Sequence, residues 1–200
     1  MHEENIMTNR QKQALKTKKK IYDTAIRLLK EYGLEKLTIN KICKEAGVSV
    51  GSFYYYFKSL DFVVVESYKI VDQQFQKISD ENKLCGTACE KVLQLVRYQT
   101  AYAVNMGIEL VTQMYKSQIS IGNDYFGSWD RPLPKLYIET IKDGQKTGEL
   151  RSDYTSESMA REIIIMVRGY IYDWCIHNGN YNLSESAEAS AEKLLAFYTN

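Results

Sequence analysis

The sequence is poor in residues that interrupt helices and lacks the common motifs of catalysis. Its 200 residues include two prolines, Pro132 and Pro134. Because proline breaks helix interiors, its scarcity favours a chain made of helices. The sequence contains no glycine-rich phosphate loop, no Gly-x-Ser-x-Gly and no His-Glu-x-x-His pattern. We therefore expect an all-α protein that is not an enzyme and that carries no cofactor.

The four cysteines form no metal-binding pattern. They stand at positions 43, 85, 89 and 175, and the two histidines are His2 and His177. None of them has the paired spacing of a zinc site, so we expect no metal. We expect Cys85 and Cys89 to lie four residues apart on one helix, with Cβ atoms about 6 Å apart, too distant for an unstrained disulfide. We interpret the cysteines as small apolar residues in a reducing cytoplasm, with a redox or metal role as the alternative.

Long apolar runs are also missing. The longest aliphatic run, Ile163 to Val167, is far shorter than the ~20 residues that cross a membrane. The N-terminus, MHEENIMTNRQKQALKTKKK, has no apolar core of a secretion signal. The chain is 44% hydrophobic and 26% charged, as ordinary globular proteins are. We expect a soluble cytoplasmic protein with no membrane partner.

Charge is divided unevenly along the chain. The net charge of the whole sequence is +1. Residues 1–60 carry twelve Lys and Arg against six Asp and Glu, a net of +6, whereas residues 61–200 carry fourteen against nineteen, a net of −5. A basic segment of this size is typical of a region that binds nucleic acid.

Two short helices joined by a tight turn are predicted between Leu37 and Asp61. Thr38 is a suitable N-cap for the first, and Gly47 stands where a left-handed residue ends it. Ser49 then caps the second helix. Since so short a glycine-containing turn makes the two helices cross steeply, the pattern predicts a helix-turn-helix. A preceding helix that ends at Gly33 completes a three-helix module from about residue 18 to residue 57.

The second of these helices has one apolar face and one face rich in tyrosine. At about 100° per residue, Phe53 and Phe57 point to the core, Tyr55 lies opposite them, and Tyr54 and Tyr56 lie on the flanks. Three consecutive tyrosines cannot all be buried, and each can bond a phosphate oxygen or cover a base. The alternative is that Tyr54 and Tyr56 are half-buried and Tyr55 alone is free. We predict a recognition helix for the DNA major groove, with these candidate contacts: Thr38, Ser49, Val50, Gly51, Ser52, Tyr54, Tyr55, Tyr56 and Lys58.

The run AGVSVGSFYYYFKS, preceded by Thr38, resembles the DNA-binding region of the TetR family of transcriptional regulators over roughly residues 18–68. The turn Gly-x-x-x-Gly-Glu-Leu-Arg-x-Asp at 144–153 is similar to the equivalent junction in that family. Members usually carry a DNA-contacting lysine where this chain has Leu60, which leaves that anchor missing or moved to Lys58. The resemblance implies a DNA-binding domain at residues 1–60 and a helical effector-binding and dimerisation domain at residues 61–200.

The C-terminal half is predicted to be helical, beginning with a long helix opened by Asp61. Residues 122–134 are expected to form a loop, because they combine glycines with both prolines. The last two helices, Ser156 to about Asn178 and Leu183 to Tyr198, are apolar or alanine-rich enough to pack against a second copy across a two-fold axis.

The resemblance implies a homodimeric regulator, most often a repressor, that leaves a near-palindromic operator when an unknown small molecule binds. Candidate pocket residues, each of which can instead be ordinary core, are Tyr98, Tyr102, Met106, Met114, Tyr115 and Trp174. The main alternative is a helical sensor or scaffold that keeps the module without binding DNA, for which Leu60 is the hint. An enzyme is the third and weakest hypothesis.

Overall fold

The computed structural model describes residues 8–33, 36–121 and 127–200, and the predicted all-α fold with an N-terminal helix-turn-helix is confirmed. Of the loop predicted at 122–134, residues 122–126 lie outside this description, and its last three residues are instead the start of a helix, because proline is tolerated in a first helical turn. Helices with defined bounds are α1 (Asn9–Tyr32), α2 (Ile39–Ala46), α3 (Val50–Tyr56), α4 (Leu60–Asp80), α5 (Ala88–Met106), α6 (Ile108–Ile121), α7 (Pro132–Lys146), α8 (Ser156–Ile176) and α9 (Leu183–Tyr198).

The first helix starts about nine residues earlier than the pattern of apolar residues predicts. Thr8 and Gln11 form a capping box, in which the Thr8 hydroxyl accepts from the Gln11 N–H and the Gln11 side chain accepts from the Thr8 N–H. The basic run at 16–20 is therefore helical, although this end of α1 carries few buried side chains. Gly33 ends the helix, as predicted.

Local caps define the helix-turn-helix. The Thr38 hydroxyl accepts from the Lys41 N–H at 3.2 Å, and the Ser49 hydroxyl accepts from the Ser52 N–H at 3.0 Å. Gly47 adopts φ 60° and ψ 42°, the left-handed conformation that glycine reaches without a Cβ clash. A continuous apolar core joins the three helices through Ile21, Ala25, Leu28, Leu29, Ile42, Ala46, Phe53 and Phe57.

The chain divides into two compact units within α4, between Glu66 and Ser67. The sequence placed the division at residue 60, where α4 begins. In the second unit, α9 packs on α5 and α8, while α7 packs on α8 and α5. The core of this unit is apolar and contains, among others, Val92, Leu95, Tyr137, Ile141, Ile163, Val167, Ala187, Ala191 and Leu195.

The prediction that Cys85 and Cys89 share a helix is wrong. A capping box between Thr87 and Glu90 starts α5 at Ala88, so Cys85 precedes the helix and is exposed, whereas Cys89 is half-buried within it. The helix begins directly after the Thr87 cap, so the residues before that cap are not part of it.

The turn after α7 is attached to the first turn of α5. Glu149 accepts from the Ala88 N–H at 2.7 Å and from the Cys89 N–H at 2.9 Å. A Cβ added at Gly144 would lie 2.4 Å from the Ala88 Cβ, so only glycine permits this approach. A carboxylate at a helix N-terminus thus links two segments that are about sixty residues apart in the sequence.

We expect Glu149→Ala to lower the free energy of unfolding by about 1 kcal/mol at neutral pH, the usual cost of a lost helix cap. Burial alone would raise the pKa of Glu149, but the Cys89 and Ala88 N–H donors outweigh it and hold the pKa below its ordinary value of 4.5. Because the pKa of Glu149 is lower in the folded than in the unfolded chain, its ionised carboxylate stabilises the fold above pH 4.5. This stabilisation is lost as the pH falls through the folded-state pKa.

Urea unfolding at pH 7 and at about pH 3 tests this expectation, because the difference from wild type should shrink at the acidic pH. Glu139→Ala, on the exposed side of α7, is the control and should change little at either pH. Equal losses at both pH values would contradict a role for the Glu149 carboxylate.

Candidate DNA interface and effector cavity

The predicted recognition helix, α3, presents two tyrosines to solvent. Tyr55 is 80% exposed and Tyr54 is 53% exposed, while Phe53 is buried in the core. Tyr56 is half-buried and packs edge-on against Tyr55, with ring centroids 4.9 Å apart. Both Tyr54 and Tyr55 are therefore exposed, which differs from the alternative in which Tyr55 alone is free.

The other predicted contacts surround this pair. Ser49, Val50, Gly51 and Thr38 are exposed, and Ser52 is half-buried with its hydroxyl 2.9 Å from that of Ser49. Both cap hydroxyls accept from backbone N–H groups, which leaves each able to donate its own hydrogen. The hydroxyls of Thr38, Ser49 and Ser52 fit hydrogen bonding to a phosphate backbone.

Cations of α1 and the turn after α3 add positive charge to this unit. Lys58 is exposed, and its ammonium lies 5.7 Å from the centroid of the Phe62 ring. In the run 18–20, Lys18 pairs with Glu66 and Lys19 with Asp23, whereas the Lys20 ammonium lies 3.6 Å from where a Cβ at Gly47 would stand. Lys20 thus places a charge beside the turn of the helix-turn-helix, which the sequence pattern alone did not single out.

A cavity of about 70 Å³ lies inside the second unit. Four predicted pocket residues line it, namely Tyr102, Met106, Met114 and Tyr115. Tyr98 is 43% exposed on α5, and Trp174 is buried against Gly179, so neither is part of the wall. The structure adds wall residues that the sequence did not indicate: Tyr68, Val71, Gln99, Ala103, Val111, Arg131, Leu133, Arg168 and Ile171.

The cavity wall is apolar apart from a few polar side chains. The Arg131 Nε donates to Asp72 Oδ2 at 2.9 Å and its Nη2 donates to Asp72 Oδ1 at 3.2 Å. The Tyr115 hydroxyl donates to the Arg168 carbonyl at 2.9 Å. Burial raises the pKa of Tyr68 and of Tyr115, so both phenols stay neutral hydrogen-bond donors at physiological pH. The cavity suits an apolar molecule with one polar end.

An apolar face on α8 and α9 is exposed in the single chain. Its large members, each more than half exposed, are Ile165, Tyr172, Ile176 and Phe197. A Cβ added at Gly169, between Ile165 and Tyr172 on α8, would meet no atom within 4 Å. We call these five residues the α8/α9 face. Ile165, Gly169, Tyr172 and Ile176 recur at steps of three or four residues and so share one side of α8, and an exposed apolar stripe of this kind is typical of an interaction surface.

Two classes of site were not found in the part of the chain that the structure describes. There, no group of three or more His, Cys, Asp or Glu side chains is arranged to hold a metal ion. Within the same residues, no helix has the length and apolar character needed to cross a membrane.

Comparisons with known proteins give consistent matches. Residues 21–61 match the family described as bacterial regulatory proteins, tetR family. The chain is 26% identical to the fatty acid metabolism regulator protein of Bacillus subtilis over 183 residues, which is 88% of this chain and 92% of that protein.

Solved structures have the same fold at low identity. FadR of Thermus thermophilus, a TetR family transcriptional repressor solved with lauroyl-CoA, matches with TM-score 0.69 and 20% identity over 89% of this chain and 93% of that one. FadR of Bacillus subtilis, solved with stearoyl-CoA, matches with TM-score 0.64 and 18% identity over 89% of this chain and 97% of that one.

Proposed function

We propose that the chain is a TetR-family transcriptional regulator that acts as a homodimeric repressor, released from a near-palindromic operator by a small-molecule effector of the fatty acyl-CoA class. The observation that carries the DNA-binding part is the outward position of Tyr54 and Tyr55 on the second helix of a basic helix-turn-helix. A recognition helix of this kind enters the major groove with its exposed side chains toward base edges.

The α8/α9 face supports a dimer. Its exposed apolar side chains lose contact with water when a second copy covers them, and Gly169 permits close approach of two helices. A two-fold dimer presents two recognition helices about one DNA turn apart, ~34–36 Å, which calls for an operator with inverted half-sites.

The cavity supports an acyl effector. Its aliphatic and methionine side chains suit a hydrocarbon chain, since methionine adapts to ligands of different shape. The FadR proteins of Thermus thermophilus and Bacillus subtilis were solved with lauroyl-CoA and stearoyl-CoA. At about 70 Å³ the cavity is smaller than the ~300–1,000 Å³ of usual ligand pockets, so a long chain has to favour a conformer with a wider cavity. An effector that prefers that conformer shifts the equilibrium toward it. Because that conformer binds the operator less tightly in this proposal, effector and operator weaken each other's binding reciprocally.

Selection of bound sequences from a random duplex library tests the DNA-binding part. We expect enrichment of an inverted repeat, and release of that duplex on titration with lauroyl-CoA or stearoyl-CoA, followed by fluorescence anisotropy. No enriched sequence would favour the helical sensor or scaffold, which is suggested by Leu60 at the position where the family usually carries a lysine. Enrichment without release would contradict the acyl effector and leave the DNA-binding part standing.

We expect Lys58→Ala to weaken binding to all DNA sequences about equally and to reduce the salt dependence of log K by about one unit for each protomer that contacts DNA. The exposed Lys58 ammonium takes the role of the lysine that Leu60 replaces. Binding isotherms at several salt concentrations measure the slope. Lys142→Ala, an exposed lysine on α7, is the matched control. An unchanged slope would remove Lys58 from the phosphate contacts.

A further inference from the structure

A buried ion pair forms part of the effector cavity. Arg131 lines the cavity, and its guanidinium holds Asp72 through two hydrogen bonds of 2.9 and 3.2 Å. The side chains of Arg131 and Asp72 are 5% and 4% exposed. This two-point geometry is the one by which arginine binds a free carboxylate or a phosphate.

The two partners come from elements with different roles. Asp72 belongs to α4, which is separated from α3 by three residues, and its neighbours Tyr68 and Val71 line the cavity. Arg131 is the N-cap of α7 and makes no side-chain cap hydrogen bond there; its side chain lines the cavity and holds Asp72.

A second cation lines the same cavity. Arg168 of α8 lines the wall with Arg131. Burial lowers the pKa of Arg168, and the charge of Arg131 lowers it further, which means that the two guanidinium groups repel each other across a poorly solvated space. An additional anionic oxygen placed between them would be attracted by both.

We propose that Arg131 is the anion-binding subsite of the effector cavity, and that Asp72 occupies it until an effector carrying an anionic oxygen group on an apolar chain takes its place. The inference rests on the proposed function, because it takes an acyl compound as the ligand. The exchange keeps the Arg131 charge paired in both states, and the displaced Asp72 carboxylate stays near a cation, because its charge also acts on Arg168. It also changes a contact of α4, the helix that continues the chain from the recognition helix.

Competition from Asp72 should lower the apparent affinity for the effector. A ligand that binds only when the pair is open is weakened in proportion to the open fraction. Asp72→Asn removes the competitor, so we expect it to tighten binding of an anionic acyl compound roughly tenfold or more, as for a charge-assisted hydrogen bond gained. Arg131→Gln should weaken the same compound roughly 10- to 100-fold and leave a neutral analogue unchanged.

Isothermal titration of the full chain with laurate, lauroyl-CoA and dodecanamide tests this proposal. Laurate places a carboxylate at the end of the chain, lauroyl-CoA places a neutral thioester there and phosphates further away, and dodecanamide carries no charge. If Arg131→Gln weakens laurate alone, the subsite takes a chain-end carboxylate, and if it weakens lauroyl-CoA alone, the subsite takes a phosphate. Either result supports the subsite.

Ligand-induced thermal shifts separate this role from a merely structural one. Removal of either side chain takes two hydrogen bonds away from a buried charge, so both single variants should melt earlier than wild type. The double variant Asp72→Asn with Arg131→Gln, which leaves neither charge, keeps the comparison possible if a single variant does not fold. In Asp72→Asn, laurate or lauroyl-CoA should raise Tm more than in wild type, because the ligand supplies the missing anion.

Two further outcomes are distinguishable. If wild type binds the acyl compounds and the variants change the affinity for charged and neutral ligands alike, the subsite is disproved and the acyl effector stands. If wild type binds none of the three compounds, the acyl effector is contradicted and this inference falls with it.

Discussion

Replacing Gly169 with arginine should convert the protein to a monomer and weaken operator binding roughly 10²- to 10⁴-fold, the gain that two linked binding modules give over one. The single chain has room for the new side chain, because no atom lies within 4 Å of a Cβ at this position. In the proposed dimer, α8 of the second copy packs against this position and leaves no room for an arginine side chain. The charge also costs free energy when it is buried among the apolar side chains of the α8/α9 face.

Sedimentation equilibrium measures the change in mass, and anisotropy with the selected operator measures the change in affinity. Circular dichroism and urea unfolding should show a helical and stable chain, since the substitution disturbs no contact within it. Ala101→Arg, on an exposed position of α5, is the control and should remain dimeric. A Gly169→Arg protein that is still dimeric with full affinity would place the dimer interface elsewhere.

Helix ends that are determined by neighbouring residues were predictable from the sequence. Thr38, Gly47 and Ser49 act as caps because their side chains or backbone conformations are determined within a few residues. The same holds for the last helix, Leu183–Tyr198, whose bounds agree with the prediction. The early start of α1 was missed because the Thr8 capping box precedes a stretch with almost no apolar pattern.

The cavity was only partly predictable because its wall combines residues from five helices. Tyr102, Met106, Met114 and Tyr115 were found as aromatic and methionine residues on predicted helices. The pattern does not distinguish them from Tyr98, which faces solvent, or from Trp174, which packs against Gly179.

The Arg131 and Asp72 pair carries no sequence signal at all. The two residues are separated by fifty-nine positions, and only tertiary packing brings them together. Arginine and aspartate are both typical surface residues, so their burial is a property of the folded chain.

Tyr55→Ala should cost about 1–3 kcal/mol of operator binding for each recognition helix and should narrow the difference between the operator and unrelated DNA. The side chain is the most exposed of the three consecutive tyrosines and lies opposite the buried Phe53. Its removal therefore leaves the core intact, and a loss of affinity cannot be attributed to unfolding. Competition of the operator against a scrambled duplex measures both affinity and discrimination.

Tyr55→Phe distinguishes the two ways in which this side chain can act. If the hydroxyl bonds a base edge or a phosphate, phenylalanine loses most of the affinity that alanine loses, whereas a ring that only covers a base or sugar is replaced by phenylalanine with little loss. Tyr98→Ala, another exposed tyrosine but in the second unit, should leave both measurements unchanged. If Tyr55→Ala reduces affinity for operator and scrambled duplex equally, Tyr55 contacts the backbone, and sequence is read by its neighbours on α3.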